Sequence, residues 1–275
     1  MPGMAERITD AEDPRIAEYR DVRERDLVGR RGLFIAEGAV VLRALLDSPL
    51  ASPVSILVAE SRVSGVSDLL GRVGPETPVF VAAQSVMDRI VGFTIHRGIL
   101  ALGAVGRRPD ARALLDGLGR KALVVALCGV SNHDNMGGLF RNAAAFGAEA
   151  VLLDDACCDP FYRKALRVSV GGVLRVPHAR LAPGDDLVAL LETKGCRVLA
   201  LSPTGARDLS GVDGGGRLAM LFGAEGPGLA PEVLSRCETL RIPMSGGFDS
   251  LNVATASGIV LHHFRNRGGE ETRPK

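Results

Sequence analysis

Arg141 is the one charged side chain in a run of small and apolar residues. It stands six positions after Asn135 in SNHDNMGGLFRNAAAFGA, residues 131–148. A guanidinium is a planar fork of donors that stays charged in proteins, and it suits bidentate contact with phosphate. The surrounding residues predict a helix running through Phe146, capped by Asn135 or Asp134, with Leu139, Phe140, Ala143 and Phe146 as its buried stripe. Arg141 falls off that stripe, and Ala145 one turn on leaves room for a ligand to approach it. A solvated or salt-bridged surface arginine satisfies the same pattern, and His133 alone reads as a loop histidine.

Two further stretches combine glycines with polar side chains. In FGAEGPGLAPE, residues 222–232, Gly223, Gly226 and Gly228 permit tight turns, Pro231 suits the first position of a helix, and Glu225 sits at the turn. In IPMSGGFDSLNVA, residues 242–254, Asp249 or Ser250 is placed to cap the last helix, with Asn252 in its first turn. Each is explained equally well as a glycine turn or a helix cap. There is no Walker A pattern and no G-x-G-x-x-G opening a helix after the first strand, which disfavours the standard nucleotide cradles.

Composition narrows the setting without naming a partner. Five cysteines, scattered and without a C-x-x-C pair, argue against a disulfide framework or a zinc site and read as reduced thiols. A net charge of +1 gives no bulk nucleic-acid footprint, so any RNA contact is a local patch. With no Trp and 4% aromatics, a base-stacking platform is poorly supported. No apolar run reaches a membrane span, and the acidic N-terminal stretch has no signal-like apolar core, so the expected location is the cytoplasm.

The elements that must position these loops read as two strand-helix series. A first helix begins at Pro14, with Ile16, Tyr19, Val22 and Leu27 inward, and short apolar runs then alternate with helical periodicity as far as GILALGAV. A Gly- and Arg-rich linker near 106–121 separates a second series opening with KALVVALCGV. The expected division is a smaller α/β domain over 1–115, an α/β domain with a mainly parallel sheet over 120–266, and a solvated tail over 267–275. In such sheets ligands gather at the carboxyl ends of strands, where all three loops are expected.

Taken in order, N-x-x-x-x-x-R, G-x-E-x-x-G-L and I-P-M-x(5)-S-L-N-V resemble the three motifs of the SpoU/TrmH-like RNA ribose 2′-O-methyltransferases of the SPOUT superfamily. The resemblance spans Lys121 to Phe264 and takes in RKALRVSVGGVLRVP. LFIAEGAVVLRALL and VFVAAQSVMDRIVGFTIHRGILALGAV are similar to the ribosomal-protein-like RNA-binding domain of many members. One departure is His133, where the family usually has proline.

The resemblance implies a trefoil-knotted C-terminal domain, S-adenosylmethionine as cofactor, no metal, structured RNA (tRNA or rRNA) as partner, and a homodimer. For that dimer the last helix offers Val253, Ile259, Val260 and Phe264. It implies that the backbone around Leu221, Gly223, Ile242, Met244 and Leu251 grips the cofactor. Arg141, Asn135, Glu225, Ser250 and Asn252 make up the catalytic set, with Glu225 shaping the site and Ser250 and Asn252 organising it. Arg141 then acts on the ribose 2′-OH, as a base of strongly depressed pKa or as a charged stabiliser of the developing alkoxide. A group whose pKa is ordinarily above about 12 favours the second role. Two other classes fit fewer residues: a non-catalytic RNA-binding protein on a degenerate methyltransferase scaffold, and an α/β enzyme acting on a metabolite.

Overall fold

The computed structural model describes residues 5–20, 24–91, 97–246 and 249–267. It divides into two compact units, one of residues 1–107 with 159–175 and the other of 108–158 with 176–275.

The first unit is built on five strands: β1 (Glu6–Ile8), β2 (Leu33–Glu37), β3 (Ala51–Ala59), β4 (Val79–Ala82) and β5 (Ile99–Val105). Their order is β1-β4-β3-β5-β2, with β4 parallel to β1 and β3, and β5 antiparallel to β3 and β2. The helix expected from Pro14 is two elements, a 3₁₀ segment Pro14–Tyr19 capped by Asp13 and a helix Glu24–Arg31. Ile16, Tyr19 and Leu27 are buried as expected, while Val22 lies outside the described residues. The Tyr19 hydroxyl meets Ser55 Oγ at 2.7 Å and accepts from Leu102 N at 3.2 Å, and burial pushes its phenol well above the ordinary value. This polar pair ties the 3₁₀ segment to β3 and β5.

Residues 159–175 complete this unit from a distant part of the chain. Phe161, 1% exposed, packs its ring on Phe34 of β2 with centroids 4.9 Å apart. Glu37, 5% exposed, accepts from Arg163 Nε at 3.0 Å and Arg167 at 3.4 Å, and Ser48 Oγ donates to Leu174 O at 2.6 Å. The sequence pattern places this stretch in the second domain. Phe161, Leu166, Val173 and Leu174 are buried with the first unit, so its apolar positions are satisfied there. The boundary also differs: helix Ala111–Asp116 belongs to the second unit, where Ala111 and Leu115 join the core formed by Val124, Leu152 and Leu191.

The second unit carries β6 (Ala122–Leu127), β7 (Ala150–Leu153), β8 (His178–Arg180), β9 (Cys196–Leu201), β10 (Arg207–Asp208), β11 (Arg217–Phe222) and β12 (Glu238–Arg241). The order is β10-β12-β9-β11-β6-β7-β8, and every pair is parallel. β6, β7 and β11 are almost continuously buried, as expected of strands covered on both faces. Helices Ala111–Asp116 and Leu187–Thr193 bury their apolar residues in one core cluster with Val124, Ala126, Val198 and Leu221. The chain therefore forms a parallel α/β domain preceded by a smaller α/β domain. Among the described residues, no helix is long and apolar enough to cross a membrane.

Candidate functional site

Helix His133–Phe146 begins after the loop that leaves β6. Its cap is Asn132, whose Oδ1 accepts from Asp134 N at 2.8 Å and Asn135 N at 3.2 Å. That corrects the choice of Asn135 or Asp134: S-N-H-D-N offers several short polar side chains, and the first turn starts two or three residues earlier than those caps imply. Leu139, Phe140 and Ala143 are buried as expected, whereas Phe146 is half-buried with its ring 5.7 Å from that of His262. Arg141 is exposed and makes no hydrogen bond or ion pair among the described residues.

Release from capping leaves Asn135 for another task. It is 4% exposed, and its Oδ1 accepts from Asn252 Nδ2 at 2.9 Å. Its own Nδ2 is buried with no hydrogen-bond partner among the described residues. Buried amides are seldom left so, and such a donor is one that a ligand or water would complete. Asn252 in turn caps the last helix, Val253–Arg267, its Oδ1 accepting from Ala254 N at 2.9 Å and Thr255 N at 3.2 Å. That corrects the expected cap of Asp249 or Ser250. Those two are exposed neighbours, with Ser250 Oγ 3.4 Å from Asp249 Oδ1.

A cavity of about 640 Å³ opens beyond the carboxyl ends of β9, β11 and β12. Its walls come from three stretches of chain, 201–204, 222–234 and 242–256. Gly223, Glu225, Ile242, Met244, Ser250, Leu251 and Asn252, seven of the residues singled out from the sequence, line it together. At Gly223 a Cβ would overlap the backbone of Gly228 and Leu229, so the loop can fold back on itself only with glycine there. Glu225 is exposed at the turn, and Leu251 presents a 39% exposed apolar side chain.

Three singled-out residues do not line the cavity. The Leu221 side chain is fully buried in the sheet core, one residue before the second stretch of the wall begins at Phe222. Asn135 and Arg141 stand apart from the wall too, and the hydrogen bond from Asn252 joins their helix to it. The loop 201–204, which no sequence motif marks, also lines the cavity. It supplies the hydroxyls of Ser202 and Thr204, 3.2 Å apart.

Of the apolar residues expected to be spare on the last helix, Val260 and Phe264 are buried within the unit and Val253 lines the cavity. Ile259 is 41% exposed. No group of three or more His, Cys, Asp or Glu among the described residues is placed to hold a metal ion.

Chemically, the cavity offers apolar walls for a flat or aliphatic group, a carboxylate at its edge, several hydroxyls, and the backbone of a glycine-rich turn. Its volume is in the range of roughly 300–1,000 Å³ usual for cofactor sites.

The model of the SpoU rRNA Methylase family matches residues 122–262. An uncharacterized tRNA/rRNA methyltransferase of Mycobacterium tuberculosis is 38% identical over 276 residues, covering 97% of this chain and 93% of the relative. The crystal structure of an AdoMet-bound rRNA methyltransferase from Sinorhizobium meliloti superposes with a TM-score of 0.78 at 26% identity, over 96% of this chain and 98% of that one. The SpoU methyltransferase AviRb from Streptomyces viridochromogenes shares the fold, with a TM-score of 0.80 at 20% identity over 93% and 98% of the two chains. Identity of that level along nearly the whole length, with the family match running through all three motif segments, means that the chain belongs to the SpoU rRNA methylase family.

Proposed function

We propose that this protein is an S-adenosylmethionine-dependent methyltransferase that modifies a ribose 2′-OH of tRNA or rRNA. The observation that carries the reading is the meeting of the second and third motif loops around one cavity, with Asn252 bridging from its wall to the helix of Arg141. S-adenosylmethionine, when bound, supplies a methyl group already made electrophilic by the sulfonium. The residues fit that group. Phe222, Leu229, Ile242, Met244 and Leu251 offer apolar contact to an adenine, and the Glu225 carboxylate suits a cationic ligand at the cavity edge. Asn135 keeps a buried donor in reserve.

The chain's own contribution is placement and charge. Walls drawn from three stretches shield the ligand from water, and the tight turn at Gly223 brings backbone polar groups to it. Arg141, exposed and without a hydrogen bond or ion pair among the described residues, is available to a ribose or phosphate of the RNA and stabilises negative charge as it develops on the attacking oxygen. Asn135 and Asn252 hold the two helix starts together. The same reading takes the C-terminal unit as trefoil-knotted. In support, β11 is inserted between β9 and β6, and the chain returns from β12 to meet Asn135. It takes the protein as a cytoplasmic homodimer that uses the exposed face bearing Ile259.

The test is to map 2′-O-methylated nucleotides in total RNA from cells with and without the gene, and to restore the missing site in vitro with the purified chain and S-adenosylmethionine. Arg141→Ala should fold normally and lose about 100- to 1,000-fold in turnover. Methylation at a base instead of a ribose would refute the 2′-O assignment, and full activity of Arg141→Ala would refute the role of the arginine.

A further inference from the structure

The helix of Arg141 is locked to the last helix by a side chain that the reaction scheme above leaves unused. Asn142 is half-buried, and its Nδ2 donates both to Ala254 O at 2.6 Å and to Ser257 Oγ at 2.9 Å. Ser257 is fully buried, and its Oγ donates to Ala254 O at 2.8 Å, which closes a small polar network. One turn earlier, a Cβ on Gly138 would lie 2.6 Å from Ala254 Cβ, so the two helices meet there without room for a side chain. Asn135 bonds Asn252 at the start of the same seam.

Spacings of three and four place Asn135, Gly138 and Asn142 on one face of the helix. All three address the stretch from Asn252 to Ser257, whose Asn252, Val253 and Ala256 line the cavity. Arg141 lies about 100° around the helix from Asn142, clear of the seam. Apolar packing would hold the helices together but would tolerate a small slide or rotation. The amide network does not, because a shift of one residue would take the half-buried Asn142 amide away from both of its acceptors.

We infer that Asn142 is a positioning residue for methyl transfer: it fixes the rotation and register of the Arg141 helix against the helix end that walls the cofactor cavity. This rests on the proposed role of Arg141 and adds a residue through which that role is set. The amide touches neither substrate nor cofactor in this scheme, and its effect passes through the angle at which the guanidinium is presented.

The experiment uses the full chain, methyl-labelled S-adenosylmethionine and total RNA from cells lacking the gene, at a temperature where circular dichroism shows every variant folded. Asn142→Ala should bind the cofactor, by calorimetry, and the RNA within about 3-fold of the parent while kcat falls about 10- to 100-fold. In an Arg141→Ala background the same change should slow kcat no further, since there is no guanidinium left to misplace. Should Asn142→Ala fail to fold, Ser257→Ala removes only one anchor and should show a smaller kcat loss that likewise vanishes in the Arg141→Ala background. If the parent transfers no methyl, or Arg141→Ala is as fast as the parent, the functional reading fails and takes this inference with it. If the parent transfers methyl and Arg141→Ala is slowed, but Asn142→Ala either keeps full kcat or slows the Arg141→Ala enzyme further, the positioning role alone is overturned.

Discussion

Replacing Asn252 separates its two structural tasks and puts a magnitude on each. Asn252→Ala removes the acceptor that caps Ala254 and Thr255, a loss of about 1 kcal/mol at a helix start. It also strands the Oδ1 of Asn135, which is 4% exposed and whose other amide atom has no partner among the described residues. An unsatisfied buried acceptor costs about 1–3 kcal/mol, so the total is roughly 2–4 kcal/mol. Asn252→Ser keeps a good cap but cannot donate across to Asn135, and should cost only the second part, roughly 1–3 kcal/mol. Urea unfolding of the full chain would rank the three proteins, provided the second unit is followed by its own probe, because two units need not unfold together. Hydrogen exchange at Ala254 and Thr255 isolates the cap: protection should drop in the alanine variant and persist in the serine variant. If Asn252→Ala unfolds within about 0.5 kcal/mol of the parent, the buried Asn135 does not depend on this bond, and the bridge between the motif loops is not structural.

Two other outcomes follow from the packing. Phe161→Ala should destabilise the first unit by about 3–5 kcal/mol, since the ring is buried against Phe34, while cofactor binding in calorimetry stays within about 3-fold. Loss of cofactor affinity on the same scale would contradict the assignment of that segment. The Cys128 thiol is pushed up to about 12, first by burial and then by the nearby Asp154 carboxylate, and Cys157 is raised further by the same causes. Both should resist iodoacetamide at pH 8 in the native chain and react once it is denatured, because the thiol and not the thiolate is favoured well past that pH. Rapid native labelling of either, read by mass spectrometry, would refute this.

The parts of the site that were legible in the sequence are those in which spacing encodes chemistry. Gly223, Glu225, Ser250 and Asn252 sit in short loops whose composition is needed locally, and they converge as the motifs imply. The expected caps lie two or three residues from the observed ones, since Asn132, Asp134 and Asn135 are all chemically competent and only the turn's geometry chooses between them. The backbone around Leu221 is expected at the cofactor because it adjoins the motif, while the two-residue period of β11 turns its side chain into the core. Nothing local marks Ser202 and Thr204, which reach the cavity only because β9 lies between β11 and β12. The segment 159–175 was invisible as part of the first unit for a similar reason. Its apolar pattern states that it must be covered, and the pattern does not name the surface that covers it.

That segment has a consequence for how the chain is made. A ribosome releases β1 to β5 long before Phe161, Arg163 and Arg167, at roughly 5–20 residues per second. Until then Phe34 has lost its aromatic neighbour and Glu37 is a carboxylate without its two arginines. The N-terminal unit therefore waits several seconds, incomplete, while β6, the Arg141 helix and β7 emerge. Assembly of the two units is interleaved during synthesis, and a nascent chain halted near residue 120 should be far more open to protease around β2 than one halted beyond residue 175 with tunnel length allowed.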